Sequence, residues 1–145
     1  MNATTEQRTI QKVSGFMRPD PPAVDFEGTL GDALSVMVER DRSSILVMEG
    51  GNVVGVIGAD DIGRLVAKGV DLQKSRVRDF VAACLLTGNQ PCVQIRNDDT
   101  VLHALQVMDS WTASQIIVVD EENRVVGTLT VLDALKGWMK EVYAP

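Results

Sequence analysis

Two short patterns in this 145-residue chain carry side chains with chemistry to offer, Thr130-x-x-Asp133 and Gly58-x-x-Asp61. An ionised carboxylate only accepts hydrogen bonds, and its two oxygens suit both hydroxyl protons of a sugar diol. A threonine hydroxyl next to the unpaired N–H groups of a helix's first turn offers donors to a phosphate. The same Thr-x-x-Asp spacing also describes a capping box, in which both side chains serve their own helix's first amides. In the second pattern Gly58 has no hydroxyl to offer, and Asp60 adds a negative charge beside Asp61.

Other reactive residues are few. His103 is the only histidine, and its place in a helix's first turn suits a surface or cap role. Cys84 and Cys92 read as reduced thiols, and with one histidine they make no zinc cluster. Asp60-Asp61, Asp98-Asp99 and Asp120-Glu121-Glu122 hold oxygen ligands suited to a hard cation, but their spacing fits no cation loop and reads as solvated turns. Phosphate-loop, dinucleotide-fingerprint and nucleophile-elbow motifs are absent. These residues point to binding, with no catalytic residue and no metal site, so the chain reads as no enzyme.

An internal repeat supplies the elements that position the two patterns. Shifted by 71 residues, Thr29 to Met48 falls on Thr100 to Val119 with eight identities: Thr29, Ala33, Leu34, Val36, Met37, Ser43, Ile45 and Val47. After a one-residue gap Val53-Val54-Gly55 matches Val125-Val126-Gly127, and Asp61 matches Asp133. In each copy a threonine precedes apolar residues at i, i+3, i+4 and i+7, as in a capped amphipathic helix. Two β-branched runs around a polar turn then form a hairpin, and a further helix opens near Asp61 and Asp133. With extended pieces at Ala23-Val24 and Cys92 to Ile95, each unit reads strand, helix, strand, strand, helix, an α/β (α+β) fold of two tandem βαββα units. The expected divisions are a mobile tail over residues 1–9, a first repeat over 10–69 and a second over 70–145. Val13-Ser14-Gly15-Phe16-Met17 and Val77-Arg78-Asp79-Phe80-Val81 share a pattern expected to end a lead-in helix. An extra loop is expected near Ala82 to Gly88, and Arg18-Pro19-Asp20-Pro21-Pro22 is expected to be extended.

Composition limits the partners. A formal charge of −6 repels phosphate backbones and anionic headgroups, which disfavours nucleic acid and membrane surfaces. The longest apolar run, Phe80 to Leu86, is far short of the roughly 18 residues of a membrane span. The polar start has no secretory pattern, so the expected location is cytoplasmic. In the last helix Val131, Leu132, Leu135, Trp138, Met139 and Val142 recur at three- and four-residue steps, and the small Ala134 and Gly137 would admit a second helix. Burial on its own sheet and a homodimer face both fit this stripe.

At Gly127-Thr128-Leu129-Thr130-Val131-Leu132-Asp133-Ala134 and, more loosely, Gly55-Val56-Ile57-Gly58-Ala59-Asp60-Asp61-Ile62, the duplicated chain resembles the cystathionine-β-synthase (CBS) domain pair, or Bateman module. The resemblance implies two units related by a pseudo-twofold axis, their sheets packed together, with two clefts that in relatives hold AMP, ADP, ATP or S-adenosylmethionine. It places Thr130 and Asp133 opposite Pro22, Ala23, Arg42 and Ser43, and Gly58 and Asp61 opposite Cys92, Val93 and Ser114. Pro22, Ala23 and Val93 would then sandwich a purine and Arg42 would neutralise phosphate. The implied protein is a stand-alone regulatory module that needs no cofactor, senses an adenosine ligand, dimerises through its last helices and acts on a separate regulated protein. A ligand-free dimerisation scaffold with vestigial clefts is the alternative.

Overall fold

The computed structural model describes residues 9–82 and 93–143. Residues 1–8, most of the expected tail, lie outside them, as do Cys84, Cys92 and most of the expected extra loop. The fold is mixed α/β and contains the βαββα unit twice. In the first repeat β2 (Ala23–Asp25) leads to α1 (Leu30–Arg40), β3 (Ser44–Glu49), β4 (Asn52–Gly58) and α2 (Ala59–Ala67). In the second, β5 (Gln94–Arg96) leads to α4 (Val101–Ser110), β6 (Gln115–Val119), β7 (Val125–Thr130) and α5 (Val131–Tyr143). Before the repeats stand a 3-10 turn (Val13–Gly15) with β1 (Arg18–Pro19), and a 3-10 turn (Leu72–Lys74) with α3 (Val77–Ala82).

The repeat extends to the hydrogen-bond register. Ala23 pairs with Leu46 in parallel, as Gln94 pairs with Ile117. Each hairpin has its register shift at equivalent places, Val47/Met48 and Val118/Val119. The one-residue gap falls in the turn. Gly50 and Gly51 take positive φ (58° and 87°), which a tight primed hairpin turn demands. The other copy uses the longer Asp120 to Arg124 loop, with Asn123 at φ 62°. Thr29 accepts from Asp32 N and Thr100 from His103 N, so both first helices begin on a hydroxyl cap.

Compact units do not follow the repeat boundary at 69/70. One unit comprises the residues up to Asp20 and those from Val93 on; the other runs from Pro21 to Cys92. Each lead-in therefore packs on the repeat it does not precede. Val13 is fully buried with Val101, Ile116 and Leu129, and Phe16 and Met17 pack against that cluster. Val77 is fully buried with Leu30, Val47 and Ile57, beside Phe80 and Val81. The lead-in pattern ends no helix among the described residues: Val13 opens a 3-10 turn and Val77 opens α3. A β-branched residue followed three positions on by Phe presents both to one side of a single turn, so it marks a docking turn equally well. The proline-rich segment is extended and contributes β1, antiparallel to β7 (Arg18↔Thr128), on a four-stranded sheet ordered β1-β7-β6-β5. The other unit has a three-stranded sheet, β2-β3-β4.

Gly55 and Gly127 make room for these lead-ins. A Cβ on Gly127 would stand 2.7 Å from Arg18 O and 2.9 Å from Met17 Sδ, and one on Gly55 would stand 3.3 Å from Val81. Met17 and Val81 end the same five-residue pattern, so the two contacts are equivalent. Gly137 likewise faces inward: its Cβ would meet Phe16 and Val101, both at 2.9 Å. Gly137 thus admits the chain's own Phe16 and Val101, so the helix that its small size lets approach is α4 of the same chain.

Gly127→Ala is expected to destabilise the fold by about 1–3 kcal/mol, because backbone must move to relieve the overlap. Gly63→Ala, with nothing within 4 Å of the added methyl in the middle of α2, is expected to stabilise by about 0.5–1 kcal/mol. Denaturant midpoints of the two variants should move in opposite directions. In the β6–β7 loop, hydrogen bonds from the Arg124 amide, the Glu122 amide and the Arg124 guanidinium hold Asp120 below the usual carboxylate value of 3.8. Its stabilisation is complete above that value and disappears as pH falls through the lower folded value. The midpoint difference between wild type and Asp120→Asn should therefore be level near neutrality and shrink in acid.

Candidate functional site: two strand-to-helix corners

Each βαββα unit turns directly from its last strand into its last helix, so the helix's first amides lie at a bend and need acceptors. In one unit Val131 N donates to Ser114 O (3.2 Å); in the other Ala59 N donates to Ser43 O (2.8 Å). The carbonyl between the first helix and the next strand thus serves the same amide in both copies. The aspartates serve the strand's last residue. Asp133 Oδ2 accepts from Thr130 N at 3.0 Å, and Asp61 Oδ2 accepts from Gly58 N at 2.9 Å. Thr130 Oγ1 completes a capping box by accepting from Asp133 N at 3.1 Å. Gly58 has no side chain with which to reciprocate.

Asp133 and Asp61 are the buried carboxylates among the described residues, 4% and 3% exposed, and each has an arginine. Arg18 Nε approaches Asp133 Oδ2 at 3.3 Å from β1. Arg64 Nη2 approaches Asp61 Oδ1 at 2.6 Å from one turn along the same helix. Neither arginine is among the site residues that the sequence suggests. Arg64 had a visible signal, since residues three apart on a helix are neighbours. Arg18 had none, because strand pairing 110 residues along the chain brings it to Thr128.

The remaining candidate residues lie in the elements the repeat predicts. Pro22 is buried and its carbonyl accepts from Leu46 N (3.0 Å); Val93, its equivalent, accepts from Ile117 N (2.9 Å). Ala23 opens β2, exposed. Arg42 follows the left-handed Asp41 that ends α1, and its amide donates to Met37 O. Ser43 and Ser114 are exposed and present carbonyls to the helix starts. Cys92 is outside the described residues. Thr130 with Asp133, and Gly58 with Asp61, are brought into hydrogen-bonding contact. His103 sits in the first turn of α4, half exposed, with Nδ1 2.7 Å from Asp99 Oδ2. Burial favours a higher Asp99 pKa, but the bonds from His103 and the Thr100 amide outweigh it and hold the carboxyl below the usual value. Met37 and Met108 are core residues, whereas Trp111 is half exposed. Among the described residues no helix is long and apolar enough to cross a membrane.

Chemically, the Thr130 corner presents a carboxylate whose capping and ion-pair bonds both fall on Oδ2, a hydroxyl, and a helix N-terminus. Such a corner can accept from a diol and donate to an anion. The family model for the CBS domain matches residues 13–68 and 85–140. An uncharacterised protein of Helicobacter pylori is 34% identical over 120 residues, covering 82% of this chain and 33% of that protein. The chain spans between a third and under half of the length of the first curated relatives it matches. Among solved structures, the CBS domain of a bacterial CNNM/CorC family Mg2+ transporter in complex with ATP is similar at TM-score 0.73 and 23% identity, covering 90% of this chain and 89% of that one. A CBS domain protein from Pyrobaculum aerophilum complexed with AMP is similar at TM-score 0.69 and 18% identity, covering 84% and 88%. With both repeats matched by the one model, and the same fold in both structures, the chain belongs to the CBS domain family.

Proposed function

We propose that this chain is a regulatory module that senses an adenosine-containing nucleotide at the Thr130–Asp133 corner. The observation that carries the reading is the division of labour at Asp133, where Oδ2 takes the capping and ion-pair bonds and Oδ1 takes part in neither. A ribose diol can engage Oδ1 without dismantling the helix start, and the Thr130 hydroxyl proton at the helix N-terminus suits the adjoining phosphate. Family membership supports this, as does the likeness to structures holding ATP and AMP. The chain acts by binding: ligand favours one conformation through differential affinity, and a partner protein responds to the shift.

One observation favours the rival reading, a dimerisation scaffold without ligand. Asp133 already has a structural task, and α5 exposes Leu132 (60%), Leu135 (38%), Met139 (53%) and Tyr143 (67%) along one face. On the proposed reading this stripe is the homodimer contact of a sensing module; on the rival reading it is the whole function.

Calorimetric titration with AMP, ADP, ATP and S-adenosylmethionine separates the two. Asp133→Asn keeps an acceptor for Thr130 N and removes the charge, so affinity should fall about tenfold or more with little change in unfolding temperature. Equal heats for wild type and variant would remove the site, and no heat with any of the four would leave the scaffold. For the dimer, light scattering should give twice the 15.7 kDa chain mass. Leu132→Glu with Met139→Glu should give the single chain, and a wild-type mass of one chain would refute the dimer.

A further inference from the structure

The two corners are copies in sequence but differ in the charges around their carboxylates. At Asp133 both bonds converge on Oδ2, and the arginine comes from β1 with 48% of its side chain exposed. At Asp61 both oxygens are engaged, Oδ2 by Gly58 N and Oδ1 by Arg64 Nη2 at 2.6 Å. Arg64 Nη1 also lies 3.7 Å from Asp60 Oδ2. The Asp60 carboxylate rests against the position that a Cβ at residue 58 would occupy. An acid thus fills space that Thr130 fills with a hydroxyl-bearing side chain in the other corner.

Arg64 thus bridges the Asp60 and Asp61 carboxylates at this corner. A sugar diol would have to displace a short charge-assisted bond from a buried carboxylate. A phosphate nearby would meet the exposed Asp60 carboxylate and find no threonine hydroxyl. We propose that Arg64 is an internal occupant of the Gly58–Asp61 corner, and that with Asp60 it limits the chain to one nucleotide rather than two. This rests on the nucleotide reading of the Thr130–Asp133 corner.

The test is binding stoichiometry of the full chain with AMP and ATP, by calorimetry and by equilibrium dialysis. Wild type should bind one equivalent, weakened about tenfold or more in Asp133→Asn. The triple variant Gly58→Thr, Asp60→Ala, Arg64→Gln rebuilds the second corner on the pattern of the first and should bind two. Should the triple variant fail to unfold cooperatively, Arg64→Gln alone, altering a side chain that is more than half exposed, should show a second, weaker event, and its absence overturns the proposal. Two equivalents on wild type overturn it, as does a single equivalent whose affinity is unchanged in Asp133→Asn and falls in Asp61→Asn. A folded triple variant that still binds one equivalent also overturns it and leaves the Thr130–Asp133 site standing. No binding by wild type with one equivalent on the triple variant supports the role of Arg64 and removes the Thr130–Asp133 site. No binding by either overturns both.

Discussion

A carboxylate buried at the bend between a strand and a helix has to be hydrogen-bonded, because an isolated charge out of water is costly. At Asp133 and Asp61 the backbone N–H three residues earlier provides that bond. The constraint fixes much of the architecture. It requires the strand to run into the helix without a loop, sets the helix start to within a residue, and leaves the next amide for the carbonyl of Ser43 or Ser114. Charged donors then gather at the corner, Arg18 in one case and Arg64 in the other. The carboxylate that the proposed function assigns to a ligand is therefore also one the fold itself needs satisfied.

Hydrophobic burial adds a second constraint. Neither repeat completes its own core: each uses a turn bearing Val and Phe that precedes the other repeat in the sequence. The contact is close enough that the receiving strand carries glycine, Gly127 against Met17 and Arg18, Gly55 against Val81. On α5, Gly137 and Ala134 give up side-chain volume to the same docking. The outward face of that helix is apolar as well, so the wide stripe seen in the sequence is two faces, one buried and one exposed.

Duplication gave the two corners the same backbone and left their side chains free to diverge. In one corner the counterion comes from a neighbouring strand and shares an oxygen with the helix cap. In the other it comes from the next helical turn and takes the second oxygen. A difference in which atom is engaged, at equal burial, separates a corner with an acceptor to spare from one without.

Much of this was legible in the sequence. The eight identities at a shift of 71 gave the two units, and the Thr-led helices, the hairpins and the corner motifs all lie where periodicity and turn residues put them, because each is set by contacts within a few residues or by pairing of adjacent strands. Thr130 with Asp133 was legible as a pair but not as a choice between cap and ligand contact, since the same three-residue spacing serves both. The docking of Val13 and Phe16 on the second repeat, the approach of Arg18 to Asp133, and the meeting of Gly137 with Phe16 join residues over 80 positions apart. Local propensity and periodicity carry no information about such meetings; they are decided by which arrangement of the whole chain buries the most apolar surface while leaving no buried polar group unpaired.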